Sequence, residues 1–425
     1  MKEIKLSFKI SIALNQTDIH WIEEKLLRIR EEIFKEVFSK VLRRIEKEAI
    51  KVTRICKKCG SFLLKNGNEP KKIRTLIGVV GAKRVRFRCQ RCKEDIYPLD
   101  EAIGLSKGER MTLGVRERSL WAAVEVSYEK ATEFLKKFTG LEVSHKKIHE
   151  MALEEGRTIE DWEGDRRNKV FERGQNLEDV DKKSPEVLYI QVDGTGVNDR
   201  ASKEWMECKV GASFSQRVLI SKNRFWLMDK KSYASIEDVE AFGEKFFLDC
   251  VKQVVLNAKK IFFIGDGARW IHNLKDSYFP EAIGVLDIWH LERELKKALG
   301  EERKSLVEDL KGLALKGDGR GIIRVLMEEG SRLRDPEKIK KIVDVMDYVK
   351  NNLQWIENIP KAGGYGSGPV EKTVDITVAR RFKKRGMSWY KKGANPLLRL
   401  RLLKLNGEWD TYWQERRRKF VRYAA

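Results

Sequence analysis

Between Thr17 and Ile50 apolar residues recur at 19, 22, 26, 29, 33, 37, 41 and 45, a spacing that predicts one long amphipathic helix. Such a helix packs on a core by default; the alternative is a pairing element between subunits. Ahead of it, IKLSFKISI at 4–12 alternates apolar and polar positions and reads as a strand. Residues 111–157 are helical in pattern. Ala131, Phe134, Leu135 and Phe138 share a face, Gly140 breaks the run, and Val143, Ile148 and Met151 resume it. With Ser144 as a cap, this helix, glycine turn and second helix resemble a helix-turn-helix.

From 187 onward the period changes. VLYIQVD, MECKVGASF and VLISKNRFWLM read as three closely spaced strands of an antiparallel meander. A helix near 234–256, the strand KIFFIGDG, a short helix and the strand AIGVLDIWH follow. Three strands, helix, strand, helix, strand is the order of a ribonuclease-H-like core. Residues 291–358 read as helices interrupted by the loop KGDGRG, and AGGYGSGP leads into a helix from Pro369 to Gly386. Neither glycine-rich stretch follows a strand as a nucleotide-binding fingerprint must, so both read as connections. The charged stretch EGDRRNKVFERGQNLEDVDKKSPE reads as a linker.

Composition narrows the class. At 425 residues the chain exceeds one ordinary core, which predicts about two to four domains. No run of 18 apolar residues exists and the N-terminus is charged from Lys2, so a membrane span and a signal peptide are not expected and the location reads as cytoplasmic, nucleoid-associated.

The net charge of +22 is unevenly placed. Residues 51–93 hold 14 Lys and Arg against Glu69 alone, and residues 377–425 hold 15 against Glu408, Asp410 and Glu415. The remaining 333 residues are near neutral at −3. Two basic blocks on a balanced body read as surfaces for a polyanion, DNA above all. Arg84, Arg86, Arg88, Lys146, Lys147, Arg380, Arg381, Lys383 and Lys384 are the candidate contacts. Trp289, Trp355 and Trp389 could stack on an unpaired base, although buried core is the commoner use of a tryptophan.

Cysteine spacing adds a metal. Cys56-Lys-Lys-Cys59 and Cys89-Gln-Arg-Cys92 are two Cys-x-x-Cys pairs with 29 residues between them. Each supplies two thiolates from one turn, and four thiolates make a tetrahedral structural zinc site. The alternating KRVRFRC between them suits a zinc ribbon. Cys208 and Cys250 have no such partners and read as ordinary thiols.

The acids carry the remaining chemistry. Asp193 is expected to end the first strand of the core, Asp266 the fourth, and Glu371 to lie in the first turn of the helix opening SGPVEKTV. Alone, each has a plain reading: two Asp-Gly turns and a carboxylate at a helix N-terminus. In a ribonuclease-H-like core the three would meet. Carboxylates brought together repel unless a hard cation such as Mg²⁺ or Mn²⁺ compensates.

Residues 185–410 resemble the catalytic domain of DDE transposases, of the Mutator-like branch and the related prokaryotic insertion sequences. VDGTGV, GDGARWI, FPEAIGVLDIWH and GPVEKTVDITVARRFKKRGMSWYKKGANPLLRLR carry the likeness. The resemblance implies a catalytic triad of Asp193, Asp266 and Glu371 holding two Mg²⁺ or Mn²⁺ ions, Asp193 bridging both. It makes Asp287 and His290 supporting site residues, since Asp287-Ile-Trp-His290 fits the branch's Cys-or-Asp-x-x-His signature. It also implies a helical insertion before the glutamate, DNA (element ends and target) as partner, and a homo-oligomer, dimer or larger.

The expected architecture is therefore α+β and multidomain. It comprises an N-terminal strand and helix (1–50), a zinc ribbon (51–105), a helical DNA-binding unit (106–165), the first part of a ribonuclease-H-like core (185–290), an all-helical insertion (291–360), and a catalytic helix with a basic C-terminal region (361–425). The alternatives are a ribonuclease-H-like nuclease without strand transfer and a domesticated DNA-binding protein. Retention of all three acids weighs against the second.

Overall fold

The computed structural model describes residue 7 and residues 11–13, 18–175, 185–222, 224–252, 255–363 and 368–424. Most of the strand expected at 4–12, residues 176–184 of the expected linker and residues 364–367 of AGGYGSGP lie outside the described residues. The fold is mixed α+β and divides into two compact units, residues 1–151 with 408–425, and residues 152–407.

The first unit opens with the long helix α1 (Ile19–Val52), capped by Asp18, whose carboxylate accepts from the Trp21 amide at 2.9 Å. Its C-terminal half is the packed half. Leu42, flanked by Phe38 and Ile45, meets Ile73, Val80 and Leu99. The strands β1 (Leu63–Thr75) and β2 (Gly78–Cys89) form an antiparallel hairpin, with β3 (Asp95–Ile96) paired to the far end of β2. The helices α2 (Pro98–Ala102), α3 (Leu113–Ala123), α4 (Tyr128–Thr139) and α5 (His145–Arg167) follow, and α5 runs on into the second unit. Between α4 and α5 the expected turn is present. Gly140 is left-handed at φ +69°, its amide and that of Leu141 close the end of α4, and Ser144 accepts from the Lys147 amide at 3.3 Å. The C-terminal helix Trp409–Ala424 also belongs here.

The second unit is built on β4 (Val187–Asn198), β5 (Trp205–Phe214), β8 (Lys231–Ser235), β9 (Lys260–Gly265) and β10 (Ile283–Leu286), in the spatial order β10-β9-β4-β5-β8. β5 pairs antiparallel with β4 and β8, whereas β9 is parallel to β4 and β10 to β9. The helices α6 (Val239–Val251) and α7 (Arg269–Tyr278) make the two crossovers. Tyr189 stacks on its cross-strand neighbours Phe214 and Phe262, ring centroids 5.2 and 5.6 Å away, which locks three strands in register.

Two expectations need correction. VLISKNRFWLM is not the third strand of the sheet: it lies in a separate hairpin of β6 (Gln216–Ser221) and β7 (Arg224–Met228). The third strand is β8, short and polar at Lys231, Ser232 and Ser235, and Asn406 holds its Ser232 by accepting from the amide through Oδ1 and donating to the carbonyl through Nδ2. Nor does β4 stop at Asp193. It continues to Asn198, because Gly194 and Gly196 leave room for the Glu207 and Trp205 side chains of β5.

The expected helical segment comprises α8 (Ile288–Leu299), α9 (Lys304–Leu315), α10 (Gly319–Ser331), α11 (Pro336–Asn351) and α12 (Leu353–Glu357). KGDGRG is partly helical, with Asp318 capping α10. Next come α13 (Gly368–Val374), a π-helical turn Asp375–Ala379, one further turn to Phe382, and α14 (Lys391–Leu405). The buried Arg401 of α14 donates to the carbonyls of Ile376 and Thr377, which the π turn leaves open.

Candidate metal centres

The cysteine site is a product of two matching turns. In each, the amide four residues past the first cysteine returns to that cysteine's carbonyl (Gly60 to Cys56 at 2.9 Å, Lys93 to Cys89 at 3.1 Å). Both returning residues are left-handed, φ +71° and +58°. The β1–β2 hairpin brings the turns face to face. Cys56 and Cys92 Sγ are 3.6 Å apart, Cys59 and Cys89 Sγ 3.3 Å, and all four sulfurs lie within 4.8 Å of one another. A tetrahedron of thiolates about 2.3 Å from a zinc ion puts the sulfurs roughly 3.8 Å apart, so the set fits one. The four thiols share their protons, with hydrogen bonds from the Ser61 backbone and hydroxyl lowering Cys59 and the neighbouring sulfurs raising Cys92. Cys208 and Cys250 are buried, and desolvation pushes their thiols well up, consistent with inert packing.

The acid cluster sits in the second unit. β9 accompanies β4 only to the Gln191–Ile264 pair, so Asp193 stands past the end of its parallel neighbour while β5 still pairs with it. Asp266 follows β9 and folds back to accept from the Ala268 amide at 2.8 Å. The Asp287 amide donates to the Gly265 carbonyl at 2.8 Å, and its carboxylate caps α8 by accepting from Trp289 and His290 at 3.3 and 3.1 Å. The Asp-x-x-His spacing is thus a helix N-cap that turns His290 back toward its own cap, Nε2 to Oδ2 at 3.8 Å. The Arg293 guanidinium stands 2.8 Å from His290 Nδ1. Since arginine only donates, Nδ1 accepts and the proton of a neutral ring is on Nε2.

Glu371 enters from another element. It is exposed in the first turn of α13, whose Val370 amide donates to the fully buried Gln191 Oε1 at 2.9 Å. Gln191 precedes Asp193 by one alternation of the strand, so β4 itself anchors the helix carrying the third acid. Ligand atoms of Asp287, His290 and Glu371 lie within 4.8 Å of one another. Asp193 is raised above the ordinary aspartate value, first by burial and further by Asp266 and Glu371, against lowering by the Gly194 amide and His290. All five residues therefore share one neighbourhood, and Asp287 and His290 with Glu371 form its tightest group, which the resemblance had ranked as support.

Two residues the sequence reading missed hold the Asp266 loop. Tyr348 on α11 donates to the Asp266 carbonyl at 2.6 Å, and burial followed by the charges of Asp266 and Asp287 keeps its hydroxyl protonated. Asn352 bonds His272 Nε2 at 2.8 Å and fills the space beside the left-handed Gly267. Neither carries a local signal.

The candidate phosphate contacts separate into two kinds. Arg84 is buried against Asp100 and stacked on Tyr97, and Arg381 is buried beside Trp389, so neither is placed to meet a ligand. This corrects both assignments: each guanidinium is used inside its unit. Lys146, Arg380, Lys383 and Lys384 are exposed and Arg86, Arg88 and Lys147 partly so. Of the tryptophans, Trp355 is buried on Gly284, Trp389 is partly buried against Phe382, and Trp289 is exposed with Lys311 over its ring.

A family model of an uncharacterised protein family matches residues 12–418. The chain belongs to that family, UPF0236. Among its relatives is a UPF0236 protein of Caldanaerobacter subterraneus subsp. tengcongensis, 22% identical over 80% of this chain and 68% of its own. Another is a UPF0236 protein from the vanSb 3′ region of Streptococcus gallolyticus, 21% identical over 92% of this chain and 84% of its own. No helix among the described residues is long and apolar enough to cross a membrane.

Two outcomes follow. Purified protein should carry about one zinc per chain, lost in Cys89→Ser together with cooperative melting of the ribbon, whose own core is little more than Leu63, Val85 and Phe87 around the sulfurs; metal analysis checks this. Asp193→Asn should raise the melting temperature of protein stripped of divalent ions at pH 7. The folded state raises the Asp193 pKa, so it favours the neutral form, and the stability this brings is lost as pH rises through the folded value. The gain should accordingly vanish when the pH is taken below about 4, where the parent is protonated too.

Proposed function

We propose that the chain is a DDE transposase of an insertion sequence, binding the ends of its own element, hydrolysing a phosphodiester and joining the freed 3′-OH to target DNA. The observation that carries the reading is the gathering of Asp193, Asp266, Asp287, His290 and Glu371 from four separate stretches of chain to one neighbourhood. Support comes from the sheet. Three antiparallel strands, a helix, a parallel strand, a helix and a parallel strand, in the spatial order β10-β9-β4-β5-β8, is the arrangement of a ribonuclease-H-like core. The relatives add a genomic argument. The Caldanaerobacter relative is named for eleven loci of a single genome, as expected of a gene that is copied about.

In this reading two magnesium or manganese ions would activate the attacking water or hydroxyl and stabilise the leaving oxygen. The protein's share is to hold carboxylate oxygens in place before DNA arrives. Gln191 fixes the start of α13 and so Glu371, Tyr348 fixes the Asp266 loop, and the α8 N-terminus fixes Asp287. His290 keeps a proton at Nε2 facing the carboxylates. Thr195 accepts from Lys383 Nζ at 2.5 Å, which draws one cation of the C-terminal block onto β4, two residues from Asp193. The exposed Arg380, Lys383 and Lys384, and Arg86, Arg88, Lys146 and Lys147 in the other unit, would take backbone phosphates.

Replacing Asp193 or Asp266 by Asn, or Glu371 by Gln, should lower cleavage of end-containing DNA by at least about a thousandfold and leave binding intact. Asp287→Asn should be as damaging, since asparagine keeps one acceptor oxygen to cap α8 but removes the anionic ligand. A variant at Asp193 that cuts as fast as the parent overturns the assignment. Binding itself should weaken steeply with salt as counterions are released; a flat dependence in a fluorescence-anisotropy titration removes the basic segments from the interface.

A further inference from the structure

The two halves of α1 are built differently. From Val37 onward its apolar residues serve the packed core of its unit, whereas from Ile19 to Ile33 they are exposed (Ile19, Leu26) or only half-buried (Ile22, Ile29, Ile33). Ile19 is 69% exposed and Leu26 48%, with Leu27 and Phe34 also exposed beside them. The spacing of this half is distinctive. Ile19, Ile22, Leu26, Ile29 and Ile33 are separated by three, four, three and four residues. That is a 3.5-residue period, which keeps one seam facing a partner helix rather than drifting around the cylinder.

Flanking charges select the partner and its direction. With Ile19, Leu26 and Ile33 at the first seam position and Ile22 and Ile29 at the second, Glu23 and Arg30 line one side of the seam and Lys25 and Glu32 the other. In the same half the intrahelical ion pairs are Glu24–Arg28 and Glu31–Lys35, and Glu23, Lys25, Arg30 and Glu32 make no ion pair among the described residues. Two parallel copies would set Lys25 against the partner's Arg30, a repulsion. Two antiparallel copies set each flank against itself, so Lys25 meets the partner's Glu32 and Glu23 meets the partner's Arg30. Both pairings are complementary, and each occurs twice about a two-fold axis. The same register stacks Ile22 on the partner's Ile33 and Leu26 on the partner's Ile29.

We infer that residues 22–33 of α1 pair with the same segment of a second copy of this chain, as an antiparallel two-helix seam. The seam is about 17 Å long at 1.5 Å per residue, which is short for isolated peptides. Here the helix is already nucleated by the Asp18 cap and anchored through Leu42 in a folded core, so pairing bears no cost of forming it. The inference does not rest on the proposed catalysis and is tested without DNA.

The test is light scattering and sedimentation of the full, zinc-loaded chain over a range of concentrations. The parent is expected to weigh as a dimer that dissociates on dilution. Leu26→Asp should be monomeric where the parent is dimeric, with unchanged zinc content and circular dichroism showing that the exposed site is dispensable for folding. Lys25→Glu should raise the dissociation constant about tenfold by setting like charges together twice. Adding Glu32→Lys to Lys25→Glu in the same chain should restore it. A parent that stays monomeric at every concentration overturns the inference and leaves the apolar stripe to the chain's own first residues. A Leu26→Asp chain that remains dimeric, or a Lys25→Glu chain that associates more tightly, overturns it as well, the first by placing the interface elsewhere and the second by showing a parallel pair.

Discussion

The second unit depends on where one strand stops. β9 pairs with β4 as far as Ile264 and ends one residue later beside β10, whereas β4 runs on to Asn198 with β5 still beside it. The gap so opened lies at the carboxyl ends of parallel strands, where open sheets collect ligands. Three acids of the cluster come from the sheet, Asp193 from within β4, Asp266 from the loop after β9 and Asp287 from the loop after β10, and Glu371 comes in on α13. Had β9 continued for two more residues, backbone would fill the space that the carboxylates share.

Such a crowd of acids is unstable by itself, and its supports come from helices outside the sheet and from one buried amide on β4. The Asp266 loop is tied down by Tyr348 of α11, and the neighbouring Gly267 is left-handed against Asn352 of the same segment. Glu371 depends on Gln191, a buried amide on the strand that carries Asp193. The helix bearing Glu371 contains a π turn, which frees carbonyls that the buried Arg401 then satisfies. Removing the helices α8–α12 would therefore release the site without deleting a single acid except Asp287, which caps the first of them. The helical segment is a buttress of the cluster before it is anything else.

What could be read from the chain in advance was the chemistry that is local. Two Cys-x-x-Cys turns and a capped Asp-x-x-His are each complete within four residues, and the structure has them where the spacing placed them. The Gly140 turn was legible for the same reason, and the apolar spacing from 19 to 45 marked α1 as one amphipathic helix. Strand assignment failed where apolar content misled. Lys231–Ser235 is polar enough to pass for a loop yet sits in the sheet because Asn406 completes its edge, whereas the richer Val218–Met228 stretch stands outside it. Gln191, Tyr348 and Asn352 were invisible because their role exists only after distant segments meet.

Charge shows the same limit from the other side. The last 49 residues carry a formal +12, but a count of arginines does not say where the field is. Arg399 is wholly buried, facing Glu163 at 3.5 Å, Glu237 at 3.7 Å and the Tyr233 ring at 4.6 Å. Burial pushes Glu163 up to about 6 even with that guanidinium beside it. Arg401 closes the π turn and Arg381 lies on Trp389, so three of the block's cations are spent on holding α13 and α14 in place. The cations that remain outside in this unit, Arg380, Lys383, Lys384 and Arg385 with Lys391 and Lys392, fall in one stretch of 13 residues directly after the helix that carries Glu371. A buried guanidinium compensated by acids adds little to the potential felt in solvent, whereas an exposed run does. The positive surface of this unit is therefore narrower than its composition implies, and the chain places it immediately beyond its third acid.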